Sequence, residues 1–187
     1  MKVVLARVGD VETLVGFRVE AAGWLAGVGS DQWQRPYPVE RLLRAVEAGE
    51  VFLVRDEGVA VATVTLAGRE TRGLWTEREL GEPSLFVSKL AVARTHAGRN
   101  LGGRLLDWAG DRAHRAGAVW LRLDAWTSNE ALQAYYLRQG FRHVRTVRQG
   151  EAVYGGPRVS GWLAQRPARP AEHGFVDETP TPEPRGS

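Results

Sequence analysis

The apolar run Leu85–Val92 reads as a buried strand, and after Ala93-Arg94-Thr95 it gives way to His96-Ala97-Gly98-Arg99-Asn100-Leu101-Gly102-Gly103-Arg104-Leu105-Leu106. A strand that breaks into a Gly/Arg loop and then into an amphipathic helix constrains the fold more than any other stretch of this chain. The first turn of such a helix carries backbone N–H groups without intrahelical partners, and the positive end of the helix dipole lies among them. Together they form a seat for a phosphate or pyrophosphate. No G-K-[S/T] follows, which excludes a nucleoside-triphosphate loop, and the absence of G-x-G-x-x-G excludes a dinucleotide fingerprint.

The rest of the chain reads as alternating strands and helices. Val3–Ala6 is a short strand, and Val11, Leu14, Val15, Val19 and Ala22 recur at helical spacing behind Asp10 as N-cap, to about Leu25. Val39–Ala48 predicts a second helix closed by Gly49. Val51–Arg55 and Val59–Leu66 flank Asp56-Glu57-Gly58 as a hairpin. Ala67–Pro83 is polar and irregular. A helix over Leu101–Ala116, a strand over Val119–Ala125, a helix over Asn129–Gln139 and strands near Phe141–Val147 and Val159–Ala164 complete the pattern. The order β-α-α-β-β-β-α-β-α-β-β predicts an α/β fold, a mixed central sheet of six to seven strands with helices on both faces. Residues 1–165 form one domain on this reading, and the Pro-rich residues 166–187, without periodicity, are expected to be disordered.

Composition narrows the function. With 187 residues and no cysteine, the chain is long enough for a sizeable core, has no disulfide, thiolate metal site or Cys nucleophile, and suits a cytoplasmic setting. No stretch approaches the ~20 apolar residues of a membrane span. The net charge is only +3, the only lysines are Lys2 and Lys89, and the arginines are spread without a basic block, which argues against nucleic acid. His96, His114 and His143 lack the paired spacing of a metal site, so no metal is expected. No Ser-His pairing is visible.

Asn129–Phe141 reads N-E-A-L-Q-A-Y-Y-L-R-Q-G-F, a helix ending at a glycine. This block and the 96–106 run together resemble the acyl-CoA-dependent N-acetyltransferases of the GNAT superfamily, over roughly residues 3–165. The resemblance implies that fold, acetyl-CoA as acyl donor, and an amine acceptor. It places the pyrophosphate on Gly98, Arg99, Asn100, Leu101, Gly102, Gly103 and Arg104. Against the family pattern Q/R-x-x-G-x-G/A, Ala97 stands at the first position and Asn100 at the middle glycine. Asn is the residue after glycine that best tolerates positive φ. The resemblance also gives the backbone of Leu90, Ala91 and Val92 to the pantetheine arm, where an N–H can face the developing oxyanion. The family's tyrosine stands seven residues after an Asn and four before a Gly-Phe, which selects Tyr136, with Asn129, Gly140 and Phe141 in register. Protonated at neutral pH, such a tyrosine can give a proton to the departing thiolate. Asn129 is expected to cap its helix and to contact CoA.

Alternation along the strands puts Val87, Lys89 and Ala91 on one face, and Trp120, Arg122, Asp124 and Trp126 on one face of the next strand. Asp124 is then a candidate partner of Lys89 and, near the strand end, a candidate base. Lys89 and Arg122 are expected to brace the sheet. On the acceptor side the candidates are Asp31, Trp33 and Tyr37, with Trp24, Gln32, Gln34 and the Trp75–Glu82 segment nearby; Glu130 is a further carboxylate. Rings beside a carboxylate suit an amine cation, and they equally pin a Pro-rich loop to the body. The expected activity is direct attack of a primary amine, small molecules favoured, on acetyl-CoA. The alternatives are a non-catalytic acyl-CoA sensor or interaction module, and acetylation of a protein amino group. The C-terminal strands are a candidate homodimer seam.

Overall fold

The computed structural model describes residues 1–34, 38–70, 73–148 and 160–182. In chain order the elements are β1 (Lys2–Leu5), α1 (Val11–Gly27), α2 (Val39–Glu47), β2 (Val51–Asp56), β3 (Val59–Ala67), α3 (Glu77–Leu80), β4 (Ser84–Val92), α4 (Leu101–Arg115), β5 (Trp120–Trp126), α5 (Glu130–Arg138), β6 (Arg142–Thr146), β7 (Ser160–Pro167) and β8 (Val176–Asp177). The fold is mixed α/β as expected, but the described residues hold eight strands rather than six to seven. The chain groups into two compact units. One is built from Met1–Leu66, Ser88–Trp108 and Glu172–Thr181, the other chiefly from Ala67–Val87 and Ala109–Ala171.

In the first unit the strand order is β3-β2-β1-β8. β1 and β2 are antiparallel, with Val3 opposite Val54, and β2 turns into β3 through Glu57 and Gly58, both at positive φ. That two-residue turn matches the twist of the flanking strands, and the bulge between Val54 and Arg55 adds to it. Val51–Val54 are all buried because helices cover both faces of β2. Val51 and Leu53 pack with Leu14 and Phe17 of α1 and Leu42 and Val46 of α2. Phe52, of opposite parity, meets Trp108 of α4 edge to face at 4.9 Å.

In the second unit the order is β6-β7-β5-β4. β4 and β5 are parallel from Ser84–Trp120 to Val87–Leu123, and β5 pairs antiparallel with β7 along its length. Leu74, Trp75 and Leu163 centre a small core with Phe86, Val144 and Val147 against it.

The segment expected to be disordered is corrected for residues 166–182. β7 continues to Pro167, and β8 pairs parallel with β1, Lys2 opposite Val176 and Val3 opposite Asp177. Backbone bonds from Glu178 N–H to Val3 O and an ion pair from Lys2 to Glu178 at 2.5 Å fasten it further. Long-range pairing supplies the order that local composition does not. Residues 183–187 lie outside the described residues.

The candidate active site

The first unit carries the loop and helix start expected to seat a phosphate. β4 departs from the alternation expected of it at Lys89, whose φ is 53°. A lysine in the left-handed region breaks the pleat, so strict alternation from Val87 to Ala91 does not hold. Leu90, Ala91 and Val92 follow, and a short turn over Arg94–His96 leads to the loop. Gly98 and Asn100 both adopt positive φ, 79° and 52°, so asparagine occupies the conformation that a glycine would. Ala97, Gly98, Arg99 and Asn100 are exposed, whereas Leu101 and Gly103 are buried. The first intrahelical closure of α4 is from Arg104 N–H to Asn100 O at 3.1 Å. The N–H groups of Leu101, Gly102 and Gly103 precede it and sit at the positive end of the helix. Arg104 itself is directed elsewhere: Nε donates to His173 O at 2.9 Å, Nη2 to Gly174 O at 2.8 Å, and the guanidinium lies 4.4 Å from the Phe175 ring centre. His96 stands 3.8 Å from Asp56 and bonds Thr95.

The acceptor-side candidates of this unit are largely engaged in packing. Trp33 rests against the α1–α2 core with the Arg18 guanidinium 5.3 Å above its ring. Gln34 Nε2 donates to Ala22 O and Gln32 O, and Gln32 is buried. Asp31 is exposed. Trp24 is exposed beneath Arg94, whose backbone N–H donates to Glu20. Tyr37 lies outside the described residues.

The second unit carries Asn129, Tyr136 and Asp124, the residues expected to cap, to donate and to accept a proton. Asn129 caps α5 as expected, its Oδ1 accepting from Leu132 N–H at 2.9 Å. Tyr136 is buried, with Phe141 and Tyr135 edge to face at 5.7 and 5.5 Å. Burial first, and then the negative charges of Tyr135 and Asp124 when ionised, push its phenol well above the ordinary tyrosine range. At neutral pH the group therefore carries its proton. Asp124 lies on β5 just past the end of the β4–β5 ladder and accepts a hydrogen bond from the Ser160 hydroxyl. From Asp124 to Trp126, β5 keeps its pairing with β7.

Arg122 has the bracing role expected of it. Fully buried, it donates to Gln165 at 3.0 Å, to the Glu79 carbonyl, and to Glu82 at 2.5 Å, and it lies 4.7 Å from the Trp75 ring. Glu79 in turn takes two bonds from Arg145 at 2.6 and 2.7 Å. Trp75, Glu79 and Glu82 are thus committed to holding α3. His143 stacks on Trp162 at 5.2 Å, and His114 is exposed. Among the described residues no group of three or more metal-ligating side chains occurs. Nor is any helix among them long and apolar enough to cross a membrane. Sequence reasoning missed Ser160, whose partner is distant in the chain, and the whole Arg104–Phe175 contact. Neither leaves a periodic signal.

Comparison with known proteins defines the class, an acetyltransferase. Residues 20–141 match the acetyltransferase (GNAT) family, and the chain belongs to that family. An uncharacterized N-acetyltransferase of Bacillus subtilis, YesJ, is 33% identical over 151 residues, covering 78% of this chain and 83% of that protein. Among solved structures, a GNAT-family acetyltransferase of Listeria monocytogenes superposes with a TM-score of 0.70 at 23% identity, over 88% of this chain and 93% of that one. The Salmonella typhimurium protein yncA, solved with its cofactor acetyl-CoA, gives 0.63 at 17% identity, over 92% and 96%. At these identities the structures establish the shared fold.

Proposed function

We propose that the chain transfers the acetyl group of acetyl-CoA to a primary amine of a small molecule, by direct attack in a ternary complex. The observation that carries the mechanism is the buried phenol of Tyr136, held neutral in register with Asn129 and Phe141. The amine nitrogen attacks the thioester carbonyl, an oxyanion forms, and the C–S bond breaks. Tyr136 gives its proton to the departing sulfur. Asp124, held by Ser160, takes the proton that the incoming ammonium must lose, directly or through water. A carboxylate that accepts and a phenol that still carries its proton when the thiolate forms are complementary base and acid, and the carboxylate's charge helps keep the phenol neutral until then. The diphosphate takes the N–H groups of residues 98–103 and the side chain of Arg99, and the pantetheine follows the backbone of Leu90, Ala91 and Val92. On the acceptor side, the carboxylate of Asp31 and the indole of Trp33 suit a cationic amine.

Calorimetric titration with acetyl-CoA, against free CoA, tests the donor; one site per chain is expected. Steady-state kinetics of Tyr136→Phe test the acid. We expect kcat to fall about a hundredfold or more while KM for acetyl-CoA stays within a few-fold. An unchanged kcat refutes the role. A chain without cysteines gives no background when released CoA is detected by its thiol.

A further inference from the structure

The segment Glu172–Thr179 belongs to the same compact unit as the phosphate loop and the first two turns of α4. Its contacts with α4 are specific. Arg104, the first residue whose N–H closes α4, donates to the carbonyls of His173 and Gly174 and lies over Phe175. One turn further on, the buried Trp108 donates its Nε1–H to Asp177 Oδ2 at 3.0 Å. Asp177 Oδ1 accepts from Thr179 N–H at 3.0 Å and from its hydroxyl at 2.6 Å, so the carboxylate is held at both oxygens. Phe175 is buried and its N–H donates to His173 Nδ1 at 3.1 Å. Gly174 adopts φ 68°, and a Cβ there would stand 3.0 Å from Arg104 Nη2, so the strap meets the arginine at a residue without a side chain. On its other side the strap is secured through β8 to β1.

The end of α4 that this strap grips is the one that needs outside support. Gly102 and Gly103 occupy its first turn, and glycine costs about 1 kcal/mol relative to alanine in a helix. Donors that must meet a ligand gain most from being fixed beforehand. The geometry points to residues 172–179 as a positioning strap for the phosphate seat, with Asp177 and Phe175 acting on acetyl-CoA affinity through Trp108 and Arg104 without touching the ligand. Arg104 is then a positioning residue, its charge spent on the strap's carbonyls. The proposal rests on the reading that the N–H groups of residues 98–103 hold the diphosphate.

The test compares two donors in the full-length protein by calorimetry: acetyl-CoA, and S-acetylpantetheine, which keeps the thioester and lacks the diphosphate. In the unaltered protein acetyl-CoA binds more tightly; equal affinities would refute the diphosphate reading and the strap with it. Asp177→Ala is expected to weaken acetyl-CoA roughly tenfold, while S-acetylpantetheine stays within about twofold, because a displaced seat affects only the ligand that uses it. Equal weakening of both donors, or no weakening of either, in a variant that still melts cooperatively would overturn the strap alone. Should Asp177→Ala fail to fold, Phe175→Leu keeps an apolar side chain in place, removes the ring beneath Arg104, and is judged by the same comparison.

Discussion

Asn100 sits at φ 52° in an exposed loop, a conformation that costs most side chains about 1–2 kcal/mol and asparagine less. Replacing it with glycine relieves the residual strain and leaves every backbone donor in place. Asn100→Gly should therefore bind acetyl-CoA as tightly as the unaltered protein or more so, whereas Asn100→Val should weaken binding and lower the melting temperature. Calorimetry and a thermal melt of the two variants check this, and a large loss with glycine would mean that the Asn100 side chain itself holds ligand. The identity of this residue carried its conformation openly, because few residues tolerate that φ. Lys89 shows the opposite case: nothing about a lysine in an apolar strand announces φ 53°, and the alternation drawn through it fails for that reason. Asn129 and Tyr136 were legible through register. Ser160 was not, since its bond to Asp124 spans 36 residues of sequence.

At the scale of elements, α3 owes its place to charge. Thr76 and Glu79 form a reciprocal capping box, and Arg145 bonds both oxygens of Glu79. The Arg145 guanidinium, with smaller help from Thr76 and against the cost of burial, lowers the Glu79 carboxyl from 4.5 to about 2. A depressed carboxyl contributes stability that is present in full above the unfolded value of about 4.5 and is lost as pH falls through about 2. After solvent screening of a partly exposed pair, the contribution is about 1 kcal/mol. Urea midpoints measured from pH 6 down to pH 2.5 should fall more steeply for the unaltered protein than for Glu79→Gln; parallel curves would show that the pair contributes nothing. This element lay inside a stretch read as irregular, because four residues give no periodicity and the cap is its one local signal. The C-terminal strap escaped for a related reason. Pro, Glu and Thr describe a chain that cannot bury itself, yet a single phenylalanine, one carboxylate and a two-residue ladder suffice when their partners are already folded.

For the whole molecule, the order of strands and helices could be read because most elements are long enough to show a period and end at glycines. Gly49, Gly117 and Gly140 stand just past α2, α4 and α5, each at positive φ, and punctuate the chain as their positions predict. What the order could not convey was the eighth strand, a tertiary product. Binding acts on the whole molecule in the same way, since a donor that meets only the folded chain stabilises every element together. At a hundred times its dissociation constant, acetyl-CoA should add about 2.7 kcal/mol to the folding free energy. For a chain of this size that corresponds to a rise of about 5–10 °C in melting temperature. Intrinsic fluorescence of its tryptophans reports the transition without a dye. The rise should grow with the logarithm of acetyl-CoA concentration, and S-acetylpantetheine at equal concentration should produce less of it. A melting temperature that does not move across saturating acetyl-CoA would mean that the folded chain has no seat for its donor, whatever its family.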